Sequence, residues 1–224
     1  MKILSIRQGF ASDHSSTSYE FLSVDKPLNK KDRSEVSKLS SRVHPTARRA
    51  NFIYHVDGYD IPGGWEKLME RYYDVMYSES YDWWTLAMAF NAAPGQHEEI
   101  RVYDFVGVDE LGIGILGNEQ RIIVTIHCAI DSGCMDNEYY DDDDYEYEEA
   151  DDEDALFETS DELLNILTQI RNQLISGDYR ALYAVWEKYG NKEDENPPPK
   201  PNPKNLQTGE EIIKKFKNML NYIG

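Results

Sequence analysis

Residues 121–130 read Arg-Ile-Ile-Val-Thr-Ile-His-Cys-Ala-Ile, a run dense in β-branched side chains with one charge, at its first position. Such side chains keep their preferred rotamers in extended chain and pack well on a pleated surface. A stretch this apolar has no polar side to offer water, so it is expected as a buried strand. Any fold for the chain has to cover it.

Working outward toward the N-terminus, residues 83–90 (WWTLAMAF) and 100–106 also read as strands, separated by a turn over 91–95. Between them and 121–130, Gly112, Gly114 and Gly117 are expected to mark irregular backbone. From Trp65 the apolar positions Leu68, Met69, Tyr72, Tyr73, Val75 and Met76 fall at helical spacing and predict an amphipathic helix of about three turns. Ahead of it, Asp60-Ile61-Pro62-Gly63-Gly64 punctuates the chain, and Ala50, Phe52, Tyr54 and Val56 alternate at period two, the signal of a half-buried strand over 49–59. Residues 29–42 predict a surface helix with Asn29 or Asp32 as its cap. The first residues read as a short strand ending at Gly9, a polar loop over 11–18 and a second extended stretch over 19–24, together a hairpin.

Past the central strand the composition changes. Between Asp136 and Glu158 stand fourteen carboxylates and no Lys, Arg or His, and removing them brings the formal charge from −19 to about −5, so the asymmetry belongs to one tract and not to the whole surface. Beyond it, Thr159 or Ser160 can cap a helix through 176, with Leu163, Leu164, Ile166, Leu167, Ile170 and Leu174 at helical spacing; Gly177 stops it and Asp178 caps a second helix over 179–189. Residues 190–204 (GNKEDENPPPKPNPK) read as a semi-rigid linker, because consecutive prolines enforce extended chain. Residues 206–223 then predict an amphipathic helix, with Lys214, Lys215 and Lys217 opposite its apolar stripe, positioned to dock on the core or on a partner.

These elements define an α+β fold: a mostly antiparallel sheet with helices packed on one face and a helical C-terminal part. In domain terms, residues 1–190 form one α+β domain with an acidic insertion at 136–158, 191–204 a proline-rich linker and 205–224 a C-terminal amphipathic helix. Two cysteines are too few for a disulfide scaffold, and no apolar run reaches the length of a membrane span, so a soluble, cytoplasmic protein without membrane contact is expected. The negative charge argues against direct nucleic-acid binding, whose affinity comes from Lys and Arg neutralising phosphates.

Signatures of chemistry are sparse. His127, Cys128 and Cys134 are acceptable zinc ligands by type, but a fourth ligand is missing and adjacent strand residues point to opposite faces. The acidic tract lacks the glycine of an EF-hand loop, with Tyr147 in its place, so weak cation attraction is expected there and no dedicated calcium site. Asp13, His14, Ser15 and Ser16 are sequence neighbours, which is not how catalytic triads are assembled, and residues 107–117 hold glycines without a P-loop or dinucleotide fingerprint. No catalytic residue, metal site or cofactor is therefore assigned.

Two stretches carry a resemblance. The run from Arg7 to Phe21, Arg-Gln-Gly-Phe-Ala-Ser-Asp-His-Ser-Ser-Thr-Ser-Tyr-Glu-Phe, resembles the serine-rich opening of a group of uncharacterised bacterial and phage proteins. The run from Gly177 to Trp186, Gly-Asp-Tyr-Arg-Ala-Leu-Tyr-Ala-Val-Trp, is similar to a helix motif of uncharacterised bacterial proteins that also carry an acidic stretch before it. Neither resemblance implies an established activity. On a helix, Tyr179, Leu182, Tyr183 and Trp186 share one face, which core packing explains better than partner binding, with Arg180 at its side.

By subtraction, the expected function is a non-enzymatic interaction protein that binds a basic partner. The residues expected to do so are Tyr139, Tyr140, Asp141, Asp142, Asp143, Asp144, Tyr145 and Tyr147 in the tract, with Arg180, Tyr183 and Trp186 on the helix. The alternatives are a nucleic-acid mimic that occupies a DNA- or RNA-binding cleft and a small hydrolase built around His14 and His127.

Overall fold

In the computed structural model, the described residues are 17–54, 60–80, 83–118, 120–129, 162–190, 201, 203 and 209–220. The N-terminal strand at 2–9, the polar loop before Thr17, residues 55–59, Cys134, the acidic tract with its four tyrosines and nearly all of the proline-rich linker lie outside them.

The strand expected from residues 121–130 is present as β7 (Arg121–Cys128). Ile122, Val124, Ile126 and Cys128 enter one core, while Ile123 enters a second on the opposite face. Its neighbour is β4 (Trp83–Asn91), paired antiparallel from Trp84 opposite Cys128 to Asn91 opposite Arg121. Trp84, Leu86, Met88 and Phe90 join the first core, and Ala87 and Ala89 the second. The five further strands are β1 (Thr17–Leu22), β2 (Arg49–Tyr54), β3 (Val75–Ser80), β5 (Phe105–Val106) and β6 (Gly112–Gly117). Among the described residues they form one antiparallel sheet in the order β2-β1-β3-β4-β7-β6-β5.

The expected α+β architecture is observed, with the C-terminal helices gathered on one face. Helix α4 (Glu162–Ile175) lies across β3 and β4, α5 (Arg180–Tyr189) against β6, and α6 (Glu210–Leu220) on both α4 and α5. Each Leu or Ile that α4 buries contributes about 1.5–3 kcal/mol of transfer free energy before chain ordering is counted. Gly177, at φ 81°, closes α4 in the left-handed conformation that glycine adopts without a Cβ clash, and the Asp178 N–H returns to the Gln173 carbonyl at 2.9 Å. Helix α6 docks on the core: Ile212, Ile213, Phe216, Met219 and Leu220 are buried among α4 and α5 residues.

The second face also carries helices. There α1 (Lys30–Ser37), capped by the Asn29 side chain as expected, and α2 (Glu66–Arg71) enclose a smaller core around Phe21, Phe52, Leu68, Met69 and Tyr73. Between the two layers runs an ion network centred on the buried Arg171 and Asp74. Arg171 of α4, 1% exposed, donates to the Ala89 carbonyl at 2.7 Å and to Asp25 at 2.5 Å. Asp74 accepts from the backbone N–H groups of Val24 and Asp25 and from Arg121, and Arg121 also donates to the carbonyls of Met69 and Tyr73.

Three expected elements differ in the structure. The helix read from Trp65 to Met76 ends at Arg71, and Val75 opens β3, which pairs with β1 and β4. Val75 and Tyr77 face one core and Met76 the other, so a strand covered on both sides presents consecutive apolar residues that periodicity cannot separate from a helix. The strand read at 100–106 divides: residues 100–101 are the end of helix α3 (Gln96–Arg101), 102–103 are a turn, and only Phe105–Val106 are strand, β5. A tertiary contact accompanies this choice: the buried Gln96 amide donates to the Leu174 carbonyl at 2.8 Å, satisfying the open end of α4. Residues 112–117, read as irregular, are strand β6, in which Ile113 and Ile115 face the main core and the glycines alternate with them.

Candidate interaction groove on the open sheet face

Cover on the second face is uneven. α2 packs on β4 and β7, and Ile123 is the last strand residue on that side to join the smaller core. Across β6 and β5 the face turns outward: Leu116 is 40% exposed and Val106 71%, while Trp83, on the same face of β4, is 47% exposed. A groove of about 250 Å³ lies along this margin.

Its floor comes from β6 and β7. Gly112 stands opposite His127 and Gly114 opposite Thr125, so half of the floor is bare peptide. Glycine at 114 has a steric reason, since a Cβ there would sit 2.5 Å from the Thr125 hydroxyl oxygen. That hydroxyl donates to the Gly114 carbonyl at 3.0 Å and is thereby occupied. Trp65 and Glu66, at the start of α2, line the groove from the helix side, and Val106 and Glu110 line it from the β5–β6 connection.

Glu110 is held by unusual backbone. Asp109 at φ 56° and Glu110 at φ 62° are successive non-glycine residues in the left-handed region, a conformation that costs about 1–2 kcal/mol per residue. The connection is closed by the Gly107 N–H donating to the Leu111 carbonyl at 2.7 Å. His127 and Thr85 are cross-strand partners, with Nδ1 and the threonine Oγ1 3.2 Å apart. Partial burial lowers the His127 pKa from its ordinary value, opposed by the negative charge of Glu110. Among the described lining residues the acidic ones are Glu66 and Glu110.

The Thr125 hydroxyl is committed to a carbonyl, and among the described residues no serine, cysteine or lysine is in the lining. Cys128 is next to His127 in sequence but points into the main core, where burial pushes its thiol pKa up, so the two cannot share a metal. Among the described residues no group of three His, Cys, Asp or Glu side chains is placed to hold a metal ion.

The other site residues expected from sequence are placed elsewhere. Tyr139, Tyr140, Asp141, Asp142, Asp143, Asp144, Tyr145 and Tyr147 are outside the described residues, as is His14. Trp186, 6% exposed, is part of the main core, and the half-buried Tyr183 stacks on it with ring centroids 5.9 Å apart. Arg180 makes a two-point contact with Asp178, Nε to Oδ1 at 2.9 Å and Nη2 to Oδ2 at 2.8 Å. This cluster lies under the C-terminal helices, on the face opposite the groove.

Sequence reading missed the groove's carboxylates and its floor. The signal that could have found the floor is Gly112-Ile113-Gly114-Ile115, a period-two pattern with no side chain on one face. No comparable signal marks Glu66 or Glu110. Comparison with protein families, with curated proteins and with solved structures returned no match. Among the described residues, no helix is long and apolar enough to cross a membrane.

Proposed function

We propose that the chain is a non-enzymatic interaction protein for a basic partner protein, with the acidic, tyrosine-bearing tract at 136–158 as the element that attracts it. The observation that carries this reading is the charge: fourteen carboxylates without a cation in one tract, on a chain of formal charge −19. A field of that sign raises the encounter rate with a basic surface and disfavours phosphate backbones. The groove supports the same reading, since its two charged lining residues are acids. A cytoplasmic setting goes with it. Helix α6 takes no part through its apolar stripe, which is spent on α4 and α5; two of its three lysines are engaged locally, Lys215 with Glu162 and Lys217 with Glu187.

The test is recovery of a basic protein on the immobilised chain, before and after residues 136–158 are exchanged for a neutral linker of equal length. Salt-sensitive recovery that is lost in the exchanged chain is expected. Equal recovery from both would overturn the reading. If nucleic acid competes for the recovered protein at the same site, the partner is a DNA- or RNA-binding protein and the chain acts on it as a mimic.

A further inference from the structure

The groove is too small for a whole drug-sized molecule, whose sites run from about 300 to 1,000 Å³. It is suited to one long side chain. Gly112 and Gly114 leave a flat peptide floor on which an aliphatic stem can lie. At the margin stand the half-buried Trp65, which brings an aromatic ring, and Glu110, whose negative charge acts on His127 of the floor and whose carboxylate is the acceptor. An aromatic face beside carboxylates favours guanidinium over ammonium, because guanidinium is planar, less strongly hydrated, stacks on indole and binds carboxylate through two parallel donors. We infer that the groove seats an arginine side chain of the basic partner, with its stem over Gly112 and Gly114 and its guanidinium between Trp65 and Glu110.

This inference rests on the proposed interaction function and adds the chemistry of the contact. A second copy of the chain is a poor occupant, since two molecules of formal charge −19 repel. The exposed Trp83 and Val106 flank the groove and can cover the residues beside the arginine, the arrangement in which a desolvated anchor binds best.

The test is an amide NMR titration of the full chain with a capped tetra-arginine peptide, repeated with capped tetra-lysine. Saturating shifts at Gly112, Gly114 and His127 are expected with tetra-arginine, and binding about tenfold weaker in Glu110→Gln, the order of effect for losing a charged hydrogen-bond partner. Glu110→Gln keeps the shape of the turn, and its unbound spectrum reports whether the fold is kept. Should that variant shift globally, Trp65→Leu removes the stacking ring from the opposite wall and is expected to weaken tetra-arginine binding while leaving the β6 and β7 amide positions of the unbound chain in place. Shifts that avoid Gly112 and Gly114, unchanged affinity in the variants, or equal binding of tetra-lysine would each overturn the assignment. So would shifts of these glycines with protein concentration alone, which would place a second copy in the groove. The chain with residues 136–158 exchanged separates the two readings. Groove shifts that survive the exchange while partner recovery is unchanged leave the arginine seat standing and remove the tract. Loss of partner recovery with no groove shifts in either chain does the reverse.

Discussion

On the second face of the sheet, the part running from β2 through β4 to Ile123 of β7 lies under α1 and α2 and is filled with aromatic rings: Phe21 packs edge-on against Phe52 at 5.7 Å and tilted against Tyr73 at 5.2 Å. The half over β6 and β5 has no such cover among the described residues, and its strands carry glycine where the first half carries rings. Both halves belong to one antiparallel hydrogen-bonded sheet, so the difference lies in the side chains and in what lies above them. Large rings require a roof; bare peptide and a threonine bonded to its neighbour's carbonyl do not. The open half still shows water Leu116 and Val106, so what it lacks is a packed layer of rings and not apolar surface as such.

Substitutions on the two halves put that difference to the test. Phe21→Ala empties a fully buried site on the closed half and should lower stability by about 3–5 kcal/mol in urea denaturation. A loss under about 1 kcal/mol would mean that the roof collapses freely and the halves are alike. Gly114→Val should cost about 1–3 kcal/mol, since its Cβ meets the Thr125 hydroxyl and its branches enter the groove. A neutral or stabilising result would show that the bare floor is not required for packing. The smallest effect belongs to Val106→Ser on the open half, within about 0.5 kcal/mol, because the residue already faces water. A drop as large as that of Phe21→Ala would show that Val106 is covered in solution.

What the sequence disclosed divides along physical lines. Strands and helices whose partners lie on one side announce themselves by period, as in β2 with Ala50 and Phe52, or α4 with its leucine and isoleucine stripe. Glycine as a helix stop at 177 and asparagine as a cap at 29 were legible because each does a local task. β3 was hidden by being covered on both faces, and β6 by having no side chain on one of them. The groove was illegible for a further reason. Trp65, Glu110, Gly114 and His127 come from four separate segments, and only the order β7-β6-β5 beside α2 brings them together. The same holds for Arg171, whose partner Asp25 is 146 residues away in sequence.

The acidic tract begins shortly after β7 and ends shortly before α4. Both anchors are among the best-held elements of the molecule: β7 is laddered to β4 and β6, and α4 is locked through Arg171 to Ala89, Asp25 and Asp74. The tract is therefore a bridge and not a tail. Any pull on the chain between these two elements is met by the β7 ladder at one end and by the buried Arg171 guanidinium at the other.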